Sequence, residues 1–145
     1  MRISTKGRYA LEVLIDLAEH PDEGYIPLKE ITERQKISLK YLESIMTVLS
    51  KAGLVDGVHG RGGGYRLNRS ASEYYLGEIL RLTEGNLAPV SCVGDNATPC
   101  TKASDCRTLP IWSGLNNVIN EYLDKITLAD IISHAKQEDR GRAHV

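Results

Sequence analysis

Residues 27–69 read PLKEITERQKISLKYLESIMTVLSKAGLVDGVHGRGGGYRLNR, and the change of period along them decides the fold. Pro27 suits the first turn of a helix in which Leu28 and Ile31 face inward. The break KIS follows, and Ser38 is placed to cap a second helix. In that helix Leu39, Leu42, Ile45, Met46 and Leu49 recur at helical spacing and form the expected buried set. Gly53 is its stop. Two short helices joined by a tight turn have the form of a helix-turn-helix, although simple helical hairpins share that form. The period then becomes two. Leu54, Val55 and Val58 precede a run of glycines, and Tyr65 with Leu67 alternate after it. A β-hairpin directly behind a helix-turn-helix makes a winged helix. The expected class is mainly α with a small β wing.

Working outward on the N-terminal side, Ser4 or Thr5 caps a helix with an apolar stripe of Ala10, Val13, Leu14, Leu17 and Ala18, ending before Pro21. Glu12 and Asp16 interrupt this stretch, so it reads as an amphipathic helix and not as a leader peptide. On the C-terminal side, residues 71–85 read as one more amphipathic helix, with Leu76, Ile79, Leu80 and Thr83 on one side. Residues 109–126 carry a wide apolar stripe of Ile111, Trp112, Leu115, Val118, Ile119, Tyr122 and Leu123. Thr127 and Asp130 have the spacing of a capping box for a last helix. The expected divisions are a winged helix-turn-helix at 1–85, a cysteine loop at 86–108, a long helix and a C-terminal helix at 109–135, and a loose polar tail at 136–145. A wide apolar helix in a chain of 145 residues calls for a partner, and a symmetric dimer on two half-sites is the common arrangement for this kind of DNA reader.

Charge permits such a partner without demanding it. Residues 1–69 carry 11 Lys and Arg against 9 Asp and Glu (+2), and residues 70–145 carry 7 against 10 (−3). The outward residues near the start of the second helix are Ser38, Lys40, Tyr41, Glu43 and Ser44, where this motif meets base edges and phosphates. Glu43 is unusual there, because a carboxylate facing DNA is repelled unless it accepts from a cytosine amino group. Pairing with Lys40 or Thr47 is the plain alternative. Arg61 sits among the glycines of the wing, and a narrow minor groove favours an inserted arginine. A tight turn is the plain reading of those glycines. They match neither phosphate-binding fingerprint.

All three cysteines, Cys92, Cys100 and Cys106, fall within fifteen residues of polar sequence, CVGDNATPCTKASDC. An odd count argues against a closed disulfide framework. An iron–sulfur cluster, zinc bound by three thiolates and one further ligand, and a thiol–disulfide switch all fit these residue types. Catalysis is poorly supported: His20, His59, His134 and His144 are scattered, and no nucleophile motif is present. A winged helix that binds protein instead of DNA is the remaining class. No apolar run approaches the roughly 20 residues of a membrane span, and the protein is expected in the cytoplasm.

MRISTKGRYAL, ISLKYLESI, LSKAGLV, GGGYRL and LGEILRLTEG, with the cysteine loop behind them, together resemble the IscR and CymR family of bacterial winged-helix transcription regulators, from Met1 to about Ile132. The resemblance implies a homodimeric repressor on a palindromic double-stranded operator, paired through the long helix after the loop. It implies that Glu43 reads bases. The arginine common before the wing glycines is His59 here, which leaves Arg61 to take its role. The cysteine-free branch controls cysteine metabolism through a partner enzyme. The three-cysteine branches hold an iron–sulfur cluster and sense iron–sulfur status, redox state or nitric oxide. On that match Cys92, Cys100 and Cys106 are the ligands, of [2Fe–2S] by the closer motifs, with [4Fe–4S] the other form. The chain departs from the pattern at two places. The usual histidine position after the last cysteine is Leu109, and the carboxylate or histidine position of the first helix is Arg8. Glu12, Asp105, a remote histidine such as His20, or a small exogenous ligand is left to complete the set.

Overall fold

The structure is a computed structural model. It describes the backbone of residues 1–143 and the side chains of residues 1–138, and His144 lies outside the described residues. The described residues form six α-helices and one two-stranded sheet: α1 Thr5–Glu19, α2 Leu28–Gln35, α3 Leu39–Lys51, β1 Val55–Val58, β2 Gly64–Leu67, α4 Leu76–Glu84, α5 Leu109–Lys125 and α6 Leu128–Ala143. Single 3-10 turns lie at Pro21–Glu23, Ala71–Glu73 and Ala103–Asp105.

The caps follow the sequence closely. Ser4 Oγ accepts from the Gly7 N–H at 3.0 Å, and Ser38 Oγ accepts from the Tyr41 N–H at 3.1 Å. Each satisfies one of the helix's orphan donors. Thr127 and Asp130 close a reciprocal box, with N···O distances of 2.9 and 3.1 Å. Gly53, just past α3, has φ 74°, the left-handed conformation a helix stop uses. Lys36, between α2 and α3, takes a left-handed conformation without being glycine (φ 54°), and this sets the tight turn of the motif.

The core gathers Ala10, Val13, Leu14 and Leu17 of α1, Ile31 of α2, Leu42, Ile45, Met46 and Leu49 of α3, Ile79 of α4, and Leu128 of α6. Leu128 shows that this core does not stop at residue 85. The route is a pairing that the sequence did not reveal. Residues 74–75 are extended and lie against 126–128: the Leu76 N–H donates to the Ile126 carbonyl (2.8 Å) and the Leu128 N–H to the Tyr74 carbonyl (3.0 Å). The helix expected over 71–85 therefore begins only at Leu76.

Two further differences concern side chains and the tail. Leu39, expected in the buried set, is 51% exposed. It is the first residue of α3, ahead of the full turn that rests on the core. Helix α6 runs to Ala143 where a loose tail was expected from residue 136. No proline or glycine interrupts 136–140, and an i,i+4 contact joins His134 Nε2 to Glu138 at 3.2 Å.

The wing is a regular antiparallel hairpin with Val55 opposite Leu67 and Val58 opposite Gly64. Ile26 extends it by one residue, exchanging both backbone hydrogen bonds with Tyr65 at 2.8 and 2.9 Å. Gly64 is required there, since a Cβ would run into the Ile26 carbonyl. Tyr74 fixes the base of the wing. Its hydroxyl donates to the Leu54 carbonyl at 2.6 Å and accepts from the Asn68 N–H at 3.1 Å. Its ring is fully buried under the Arg69 guanidinium, 4.8 Å from the centroid. Burial raises the phenol's pKa above its ordinary value despite that cation.

Candidate nucleic-acid interface and cysteine loop

Helix α3 is positioned from α1 in two ways, through α2 and directly. From α1, Asp16 is only 5% exposed and takes Arg34 of α2 in a fork, at 2.7 Å to Oδ1 and 2.9 Å to Oδ2, with Gln35 Nε2 donating at 3.0 Å. Burial opposes the carboxylate, but the Arg34 and Gln35 hydrogen bonds outweigh it and hold the Asp16 pKa below its ordinary value. The same contact raises that of Arg34. The helix before the turn is thereby pinned to α1. Also from α1, the Tyr9 ring meets the Tyr41 ring of α3 edge to face, with centroids 5.8 Å apart and planes at 89°. Tyr41 is accordingly half-buried, unlike the other expected contact residues of α3.

Ser38, Lys40, Glu43 and Ser44 are exposed on the outer side of α3. Ser38, Lys40, Tyr41 and Ser44 line one shallow hollow of about 320 Å³ at the start of the helix. Glu43 lies elsewhere, in a groove of about 440 Å³ between α3 and the wing, shared with Thr47, His59 and Tyr65. The expected residues thus fall into two adjoining groups, and His59 joins Glu43. Among the described residues the Glu43 carboxylate has no hydrogen bond or ion pair. The plain pairing with Lys40 or Thr47 is absent, since the Thr47 hydroxyl donates to the Glu43 backbone carbonyl at 2.8 Å. Arg61 stands exposed at the wing tip between Gly60 (φ 90°) and Gly62 (φ 72°), whose left-handed backbone makes the turn. Pro27, Leu28 and Val58 also line the groove, although their sequence pattern points only to structural roles. Thr47 had a legible signal, its i+4 spacing from Glu43.

The cysteine loop begins directly after Gly85, and α4 passes its position to α1. Glu84, the last residue of α4, accepts from the Ser4 N–H (3.0 Å) and the Ser4 hydroxyl (2.6 Å). At Gly7 a Cβ would collide with that carboxylate, so a larger residue there would push Glu84 off its present position against Ser4. Helix α5 is tied to α4 by Arg81, which forks onto Asp124 at 2.7 and 3.0 Å and reaches Asn120 at 2.8 Å. The hydrogen bond to Asp124 raises the Arg81 pKa.

Within the loop only Leu87 and Val93 are buried. Turns such as Thr98 N–H to Ser91 carbonyl (3.0 Å) and Ala103 N–H to Cys100 carbonyl (3.1 Å) shape the rest. All three cysteines are free thiols: Cys92 and Cys106 are half-buried and Cys100 is exposed. Among the described residues no three histidine, cysteine or acidic side chains stand together closely enough to hold a metal. The donors nevertheless suit a thiolate-bound group. Cys106 precedes α5, and the Thr108 hydroxyl, with Sγ···Oγ1 3.5 Å, lowers its pKa together with the N–H groups of Thr108 and Leu109. Glu12 is exposed on α1, Asp105 is exposed beside Cys106, Arg8 is exposed, and Leu109 opens α5.

The outer face of α5 has no cover. The helix buries no residue, and Ile111, Leu115, Val118 and Tyr122 are 41–66% exposed. Their spacing of four, three and four puts them on one stripe. Among the described residues no helix is long and apolar enough to cross a membrane.

The chain's relatives agree with this geometry. A family model, Rrf2, described as an iron-dependent transcriptional regulator, matches residues 3–134. The HTH-type transcriptional regulator IscR of Serratia proteamaculans is 40% identical over 134 residues, which is 92% of this chain and 80% of that protein. Among solved structures, CymR, the global cysteine regulator of B. subtilis, superposes with a TM-score of 0.74 at 35% identity, covering 92% of this chain and 98% of that one. IscR of T. potens superposes with a TM-score of 0.73 at 38% identity, covering 95% and 90%.

Proposed function

The chain belongs to the Rrf2 family of iron-dependent transcriptional regulators and is a DNA-binding transcription regulator, not an enzyme; from that premise we propose that it is a homodimeric repressor in the cytoplasm whose operator binding is controlled by an iron–sulfur cluster on Cys92, Cys100 and Cys106. The observation that carries the reading is the pairing of an exposed recognition face, on which Glu43 and Arg61 are uncommitted, with a loop of three free thiols. On that face the Glu43 carboxylate has no ion pair among the described residues and Arg61 is exposed. The loop starts at residue 86, two residues after Glu84, whose carboxylate contacts α1.

In this account two copies pair through the uncovered stripe of α5, so their α3 helices meet a palindromic operator in successive major grooves. Ser38, Lys40, Tyr41 and Ser44 fix register on phosphates and base edges, and Glu43 accepts from a cytosine amino group. His59 and Arg61 follow the minor groove beside it. The half-bound chemistry of the loop is simple: the three thiols lose their protons on binding, and the acidity of Cys106 eases that loss at one of them. A bound cluster supplies one-electron redox chemistry and lability, which suits sensing of iron–sulfur status, redox state or nitric oxide. Glu12 or Asp105 supplies an oxygen ligand where Leu109 cannot. Any shift of the loop is felt at Glu84, at Ser4 on the end of α1, and through Tyr9 at Tyr41 on α3.

Iron and labile-sulfide analysis of protein purified without oxygen tests the cluster. Both should be present in comparable amounts and should be lost in Cys92→Ala, Cys100→Ala and Cys106→Ala, with [2Fe–2S] rather than [4Fe–4S] stoichiometry. Stoichiometric zinc without sulfide would replace the cluster with a structural metal. The acidified Cys106 thiol also favours a second reading, a thiol–disulfide switch; metal-free protein with a reversible disulfide would establish it. Glu12→Ala and Asp105→Ala should shorten the cluster's lifetime.

A further inference from the structure

Leu39 breaks the pattern of α3. Its four partners in the apolar period, Leu42, Ile45, Met46 and Leu49, are at most 1% exposed, and Leu39 is 51% exposed. A single exposed leucine is ordinary on a protein surface. This one occupies the first position of the helix that faces DNA, one turn before Glu43 and on the same side of the helix.

The polar groups around it leave a gap in what the helix can read. Ser38 Oγ already accepts from the Tyr41 N–H. The Ser44 hydroxyl donates to the Tyr41 carbonyl at 2.6 Å, and that of Thr47 to the Glu43 carbonyl at 2.8 Å. Two hydroxyl protons are thus committed to the helix's own backbone. The Ser38 hydroxyl proton, the Lys40 ammonium, the Tyr41 hydroxyl and the Glu43 carboxylate remain free, all of them polar, and beside them stands the isobutyl group of Leu39. The major groove displays one apolar feature, the 5-methyl group of thymine.

We propose that Leu39 is a specificity-determining residue that reads a thymine methyl. One helical turn advances about 5.4 Å and one base pair about 3.4 Å, so that thymine lies within one or two base pairs of the cytosine read by Glu43. The inference rests on α3 being the recognition helix.

The test uses the full-length protein and a duplex that it selects from a randomised library. Each thymine is replaced in turn by deoxyuridine, which removes only the methyl group, and affinity is measured for wild type and Leu39→Ala. Wild type should lose about fourfold at one thymine of each half-site, the worth of one buried methyl. Leu39→Ala should be insensitive at that thymine and unchanged at the others, with an unaltered thermal midpoint. The same deoxyuridine profile in both proteins, or no sensitive thymine in wild type, overturns the proposal. Lys40→Ala and Glu43→Ala separate the two levels. If they alter affinity or base preference while Leu39→Ala does not, the recognition helix stands and Leu39 fails; if none has an effect, or no duplex is selected, the helix reading itself fails.

Discussion

In the winged helix Leu14, Ile31, Leu42 and Tyr74 are fully buried, whereas between residues 86 and 108 only Leu87 and Val93 are buried. The first region is held by a shared core, an ion pair from Asp16 to Arg34 and a hydrogen-bonded tyrosine. The second is held by turns, and its three thiols have no bonded partner stronger than the Thr108 hydroxyl. The reading surface is therefore set by the fold itself. The loop has little of its own to determine its shape, and a ligand on its cysteines has much to contribute. A sensor profits from that division, because low intrinsic order in one segment lets a bound group reshape it without unfolding the reader.

The sharpest break in this contrast comes from core truncation. Leu14→Ala should destabilise the chain by about 2–5 kcal/mol, read as a fall in the urea midpoint. Next in size, Asp16→Ala should cost about 2 kcal/mol, because Arg34 loses its buried partner while keeping some access to water. The pH dependence has a definite sign. The Asp16 pKa is lowered on folding, so its contribution is present above the ordinary carboxylate value of about 3.9 and is lost as pH falls through the lower folded value. Wild type should thus lose thermal stability more steeply than Asp16→Asn when pH is lowered below about 4. Smaller still, Tyr74→Phe should cost about 1–2 kcal/mol by leaving the Leu54 carbonyl and Asn68 N–H unpaired; amide exchange at Asn68 should rise with it. At the bottom of the scale, Cys100→Ala in metal-free protein should lie within about 0.5 kcal/mol of wild type. A large loss there would show the loop to be structural in its own right.

The winged helix was legible because its signals are local. Ser38 precedes an apolar period, Gly53 ends it and the glycine run marks the wing; outside the winged helix, the last helix was legible for the same reason, since Thr127 with Asp130 carries its own capping pattern. What escaped depends on distant pairing. Asp16 reads as a solvated helix acid, since its partner Arg34 is eighteen residues away in another helix. Tyr74 reads as part of a helix until its strand-like contact with Leu128 is seen. Leu39 keeps the apolar period but precedes the turn that meets the core, so periodicity alone puts it inside. In the loop the cysteines name a chemistry, but no periodicity or cap there encodes how they converge. For the same reason the sequence leaves the partner of the α5 stripe to be inferred.

The central claim is that a group bound by the cysteines governs how the winged helix holds DNA. The direct measurement is operator affinity of the anaerobically purified protein before and after removal of its iron and sulfide, at one fixed salt concentration, with the far-UV circular dichroism recorded on both. The account predicts a change of at least about fivefold, with the winged-helix spectrum preserved and with Cys100→Ala fixed at the metal-free value. Equal affinity of the two forms, both folded, would contradict it.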